Sequence, residues 1–181
     1  MASKHVALIR GINVGRAKRV AMADLRALVE DLGYGDVRTL LNSGNVVFTA
    51  ARAVPAKIAA RIETSLAAKL GVPARITVLT AIEVADIVAA NPLLDIATDF
   101  SRLMVAVLRD PADRQMLEPL WHKDWAPDVL ALGTRVAYFW CANGILESRL
   151  AESVGRALGD RVTTRNWATL LKLHALIEGP R

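Results

Sequence analysis

Along residues 5–10 the apolar positions run on without alternating, which predicts a strand buried on both faces. A glycine-containing loop over 11–20 follows. Met22, Leu25, Leu28, Val29 and Leu32 then recur at helical spacing, and Gly33 stops that helix. Residues 37–41 and 45–49 read as two strands. Between them Asn42, Ser43 and Gly44 make a tight hairpin turn, because Asn and Gly tolerate positive φ. Ile58, Ile62, Leu66 and Leu70 fall four apart on one helical face, opened by Pro55 and closed by Gly71. Residues 75–79 alternate as a strand does. Thr80 and Glu83 form a capping box for a short helix that Asn91 and Pro92 end.

The same order of elements then repeats. Residues 102–109 form a strand as apolar as the first, and Asp110 with Pro111 caps a helix carrying Met116, Leu117 and Leu120. Residues 129–132 and 136–141 pair across Gly133 and Thr134. Leu146, Leu150, Val154 and Leu158 form a helical stripe closed by Gly159. Residues 162–165 are a last strand, and 167–177 a last helix before Gly179 and Pro180. Two consecutive split β-α-β units make the expected fold a duplicated, ferredoxin-like α+β protein, each half followed by a helix. The halves are expected at 1–91 and 92–181, with the junction in 92–100.

Composition narrows the class. The chain has 181 residues, 53% hydrophobic and 23% charged, which places it among globular proteins with enough chain to bury a core. No apolar run approaches the roughly twenty residues a membrane span needs, so no membrane partner is expected. The first residues run straight into a strand without a signal-peptide core, and the expected address is the cytoplasm. A single cysteine, Cys141, excludes an internal disulfide framework and a cysteine metal cluster, and no cofactor is expected. The net charge of +5 is uneven: residues 1–90 hold 12 Lys/Arg against 7 Asp/Glu, residues 91–181 hold 11 of each. The excess therefore sits in the first half, where it would attract phosphate, nucleic acid or acidic metabolites.

The 11–20 loop is the first candidate for chemistry. It links a central strand to a helix, where α/β proteins often hold phosphate on backbone N–H groups. Arg10, Arg16, Lys18 and Arg19 add charge and Asn13 adds an amide. The spacing fits neither a P-loop nor a dinucleotide-binding fingerprint. The Asn42–Gly44 turn is expected at the opposite end of the sheet from the first strand's exit, and so outside that site. Arg165 and Lys172, near a helix start capped by Asn166, form a second-rank anion seat, while Trp167 reads as core. His5, His122 and His174 lack zinc spacing, and Cys141 reads as a buried thiol. The basic half carries only Tyr34 and Phe48 as aromatics, which separates charge from the stacking surface of RNA-binding ferredoxin-like sheets.

Three stretches carry a family resemblance: LIRGINVG at 8–15 with Met22–Arg26, NSGNVVF at 42–48, and TRNWAT at 164–169 with Lys172 and Leu173. Together they resemble the bacterial family called domain of unknown function 1697, over essentially the whole chain. The resemblance implies a cytoplasmic bacterial protein with a two-part α+β fold, and it brings no activity with it. Arg16 stands where that pattern commonly has a second glycine, Ala21 where it has proline, and Ala168 where it has asparagine. The expected function is binding of a phosphate-bearing partner, nucleic acid foremost, through Arg10, Asn13, Arg16, Lys18 and Arg19. The alternatives are an enzyme or sensor for a small anionic metabolite bound between the halves, or a protein-interaction module without a small ligand.

Overall fold

The computed structural model describes residues 2–51 and 53–179. Among them the chain forms two four-stranded antiparallel sheets and six α-helices, in two compact units, Met1–Val84 with Leu173–Arg181 and Ala85–Lys172. Pro180, expected just beyond the last helix, lies outside the described residues.

The first unit runs β1 (Ser3–Arg10), α1 (Met22–Asp31), β2 (Gly35–Leu40), β3 (Asn45–Ala50), α2 (Pro55–Ser65), β4 (Arg75–Thr80) and the start of α3 (Ala81–Ala89). The sheet order is β2-β3-β1-β4, every pairing antiparallel. Leu8 stands opposite Asn45, and Arg10 opposite Arg75. Leu25, Leu28 and Val29 of α1 and Ile58 and Ile62 of α2 close over Ala7, Ile9, Val46, Phe48, Ile76 and Val78. Val6, Leu8 and Leu79, pointing the other way, are buried too, as the unalternating pattern of β1 requires. The capping box forms: the Glu83 carboxylate accepts from the Thr80 backbone N–H at 2.8 Å, and Thr80 Oγ1 accepts from the Glu83 N–H at 3.2 Å. After α2 the chain adds a wide π turn, Leu66–Leu70, and Gly71 ends it at φ +62°.

The second unit runs β5 (Leu103–Leu108), a 3-10 stretch (Pro111–Leu117), α4 (Glu118–Trp121), β6 (Val129–Leu132), β7 (Val136–Trp140), α5 (Arg149–Leu158), β8 (Val162–Asn166) and most of α6 (Trp167–Glu178). Its sheet order is β6-β7-β5-β8, again wholly antiparallel.

Two expectations here need correcting. The helix expected after Asp110 is instead a 3-10 stretch and a single α-turn. Pro119 has no backbone N–H for an α-ladder running up from Pro111, so the regular helix restarts around it, and Met116 is left exposed. Leu146 does not belong to the α5 stripe. It is 95% exposed and precedes the helix, whose N-cap is Ser148, with its Oγ accepting from the Ala151 N–H at 2.9 Å. The buried apolar positions of α6 are Trp167, Leu170, Leu173 and Ile177, with Thr169 buried beside them, while Leu171 and His174 are half-buried.

Candidate functional site

The loop between β1 and α1 is built around Asn13. Its side-chain amide donates to the carbonyls of Val20 at 2.9 Å and Asn42 at 2.7 Å, and its Oδ1 accepts from the Val20 N–H at 2.7 Å. The residue sits at φ +55°, a region Asn enters at little cost, with Gly11 and Gly15 also at positive φ. The N–H of Ala17 closes a turn onto the Val14 carbonyl at 2.8 Å. One side chain thus pins both ends of the loop to each other and to the neighbouring turn.

That neighbouring turn joins β2 to β3, and here the structure overturns the expected separation. Helix α1 returns the chain to the start of the sheet, so β2 runs in the same direction as β1 and ends at the same edge. The 41–44 turn therefore lies beside the exit of β1. The N–H of Ile9 donates to the Gly44 carbonyl at 2.8 Å, alongside the Asn13–Asn42 bond. A Cβ on Gly44 would stand 2.8 Å from Ile12 Cδ1 and 2.9 Å from Ile9 Cβ, so only glycine allows the approach, at φ +84°. Asn45, fully buried, donates to the Leu40 carbonyl at 2.8 Å and to Ser43 Oγ at 2.9 Å. The residue that takes the left-handed backbone at the head of the turn is Leu41, at φ +57°, and not Asn42. Nothing in the sequence marks a leucine for that role.

The loop's cations divide by what holds them. Lys18 Nζ donates to the carbonyls of Leu70 at 2.8 Å and Gly71 at 3.3 Å, which places its charge on the negative end of the α2 helical run. Arg19 donates to the Asn13 carbonyl at 2.9 Å. Neutral carbonyls fix these side chains without cancelling their charge, and both remain exposed. Arg16 is exposed and makes no hydrogen bond or ion pair among the described residues. Arg10, half-buried at the end of β1, faces Arg75 across the register. No acidic residue occurs from Gly11 to Ala23, so the charge has no internal counterweight in the segment. Asn13, expected as a ligand contact, has its amide committed to the loop itself.

The second-rank residues lie in the second unit. Arg165, on β8, donates to the Thr164 carbonyl at 3.0 Å, and burial pulls its guanidinium down to about 10, still charged at neutral pH. Lys172 is exposed on α6. Asn166 caps α6, its Oδ1 accepting from the Thr169 N–H at 2.9 Å, and Trp167 is buried. A cleft of about 460 Å³ in this unit is lined by Lys123, Asp128, Glu147, Arg149, Glu152 and Arg156 among others. Its charges are mixed in sign: Arg156 pairs with Glu152, and both Asp128 oxygens accept hydrogen bonds, from the Ala142 N–H at 2.9 Å and the Ser148 hydroxyl at 2.7 Å. Cys141 is buried, and burial pushes its thiol up. His5 stacks on Phe48 in the first core at 5.7 Å. Among the described residues no group of three or more His, Cys, Asp or Glu side chains could hold a metal, and no helix is long and apolar enough to cross a membrane.

Comparison with known proteins gives these features a family. The model of a protein family of unknown function, DUF1697, matches residues 2–138, and the chain belongs to that family. Both arms of the Asn13–Asn42 junction fall inside the matched region. The fold is similar to that of a conserved bacterial protein, SP0830, from Streptococcus pneumoniae, with a TM-score of 0.76, 21% identity, and coverage of 98% of this chain and 99% of that one. No curated protein matches the chain.

Proposed function

We propose that the first unit binds a phosphate-bearing partner, nucleic acid, on the tip made by the 11–20 loop and the 41–44 turn. Arg16, Lys18 and Arg19 meet phosphate, Arg10 adds to the field from the strand end, and Asn13 sets the loop's shape. The observation that carries this reading is a loop with three exposed cations and no carboxylate, tied together by the three hydrogen bonds of one asparagine. A preorganised loop holds its charges in place before the partner arrives, so little ordering entropy is lost on binding. Arg16 supports it further, since among the described residues its guanidinium makes no hydrogen bond or ion pair. Arg165 and Lys172 lie in the other unit, and this reading does not require them.

The architecture belongs to the same proposal. The strand orders β2-β3-β1-β4 and β6-β7-β5-β8 support reading each half as a ferredoxin-like split β-α-β unit, and a cytoplasmic address would give the protein access to nucleic acid. The small-metabolite alternative has less support, because the cleft in the second unit carries mixed rather than uniformly positive charge.

The test is an anisotropy titration of labelled single-stranded RNA, single-stranded DNA and duplex DNA across a range of salt. Three phosphate contacts on a single strand give a slope of log K against log salt of about −2. Arg16→Ala flattens it by about 0.7. Binding that ignores salt, or is absent even at low salt, refutes the proposal.

A further inference from the structure

We propose that the same tip selects single-stranded nucleic acid by laying an unpaired base against Val14 and Leu41, while the loop's cations hold the flanking phosphates. This rests on the phosphate-binding reading above and adds to it the class of strand recognised.

Two large apolar side chains stand in water beside the cations. Val14 is 65% exposed and Leu41 is 49% exposed. They are the chain neighbours of Asn13 and Asn42, the two residues joined across the junction at 2.7 Å, so the bond that locks the loop also fixes these two positions relative to each other. Leu41 is held there at a cost. At φ +57° a leucine Cβ crowds its own backbone, and an asparagine or glycine would sit in that conformation more easily. The turn thus carries a strained, exposed leucine where two turn-forming residue types would relieve both faults. Strain kept at an exposed position beside unneutralised charge points to use by a partner.

The chemistry of the partner follows from the pair of features. Phosphate alone has nothing to offer Val14 and Leu41. A nucleobase has an apolar face, and that face is open only when the base is unstacked, whereas a duplex hides it between neighbouring pairs. An aliphatic contact with a base face is indifferent to base identity, so the tip discriminates strandedness and not sequence. The first unit's scarcity of aromatics, which argues against sheet-face stacking, does not bear on a contact made at the loop tip.

The experiment uses the full chain and three labelled ligands of equal length: oligothymidylate, an abasic deoxyribose-phosphate strand and a blunt duplex. Wild type is compared with Arg16→Ala and with the double variant Val14→Ser, Leu41→Asn. Wild type is expected to bind oligothymidylate roughly tenfold more tightly than the abasic strand, the effect of burying two half-exposed aliphatic side chains. The double variant loses that preference, keeps its affinity for the abasic strand, and keeps its salt slope. Leu41→Asn alone melts at a higher temperature than wild type, because asparagine accepts the left-handed backbone, which rules out misfolding as the cause of weaker binding. Arg16→Ala lowers the salt slope on both single strands equally. Equal binding of thymidylate and abasic strands, or an unchanged preference in the double variant, overturns the base contact while leaving the phosphate reading intact. Absence of salt-sensitive binding to any strand by wild type overturns both. Displacement of oligothymidylate by polyglutamate at equal charge assigns the tip to an acidic peptide and overturns the base contact as well.

Discussion

Replacing Asn13 with alanine removes the bonds that shape the loop, and the size of the effect can be worked from the geometry. Three hydrogen bonds are lost, to the Val20 carbonyl, the Val20 N–H and the Asn42 carbonyl. A typical intramolecular hydrogen bond contributes about 1 kcal/mol net. The Asn42 carbonyl is exposed and regains water, so the two bonds to Val20 carry most of the loss, about 2 kcal/mol. Alanine at φ +55° adds about 1 kcal/mol of backbone strain that asparagine largely avoids. The expected destabilisation is therefore about 3 kcal/mol, read as a lower urea midpoint by far-ultraviolet circular dichroism. Asn13→Gly accepts the left-handed backbone but makes none of the bonds, and is expected to recover about 1 kcal/mol of that loss. A local readout accompanies the global one: the Val20 amide, bonded to Asn13 Oδ1, should exchange with solvent faster in both variants. A loss below about 0.5 kcal/mol in Asn13→Ala, the scale of an ordinary surface substitution, with Val20 protection unchanged, would refute the reading of Asn13 as the pin of the loop.

Gly44→Ala should destabilise by about 2–3 kcal/mol in the same urea assay, because the new methyl meets Ile12 and Ile9 side chains at under 3 Å on a left-handed backbone. Ser148→Ala removes the α5 cap and a bond to Asp128, with an expected loss of about 1–2 kcal/mol; a shift within experimental error would deny the cap a role. Tyr138 is buried and donates to the Ile87 carbonyl at 2.8 Å, and burial raises its phenol to about 12. In a Tyr34→Phe background its ultraviolet titration should therefore centre near pH 12. Its contribution to stability is full below pH 10 and is lost as pH rises through 12, since the folded state holds the proton longer than the unfolded chain. Cys141 should resist a thiol reagent at mildly alkaline pH until the protein is unfolded; rapid native labelling would contradict its burial.

The elements of both sheets were legible because strands and helices leave periodic marks. The unalternating run before Arg10 announced a strand buried on both faces, and Thr80 with Glu83 announced a cap that forms as read. What failed did so for identifiable reasons. Leu146 matches the four-residue spacing of α5 by coincidence, since periodicity cannot tell a helix position from the turn before it; Ser148 was the better signal. Pro119 was visible in the sequence, and its effect on the stretch from Pro111 to Trp121 follows from its missing N–H. The placement of the 41–44 turn was derivable from connectivity: a helix between two strands reverses the chain once, so both strands end at one edge.

The basic character of the 11–20 loop was legible, but the commitments of its side chains were not. Lys18 reaches carbonyls 52 and 53 residues away, and Asn13 one that is 29 residues away. Such contacts depend on how helix α2 ends and how the turn docks, which no local pattern encodes. Leu41 gave no sign at all, because leucine is not a residue that turn chemistry selects for positive φ.

The most direct test of the central claim is residue-resolved: amide chemical shifts of the isotope-labelled protein during titration with oligothymidylate at low salt. The account expects the largest changes at residues 11–20 and 41–44, which fade together as salt is raised. Changes centred on the cleft of the second unit, or no changes at saturating strand, would contradict it.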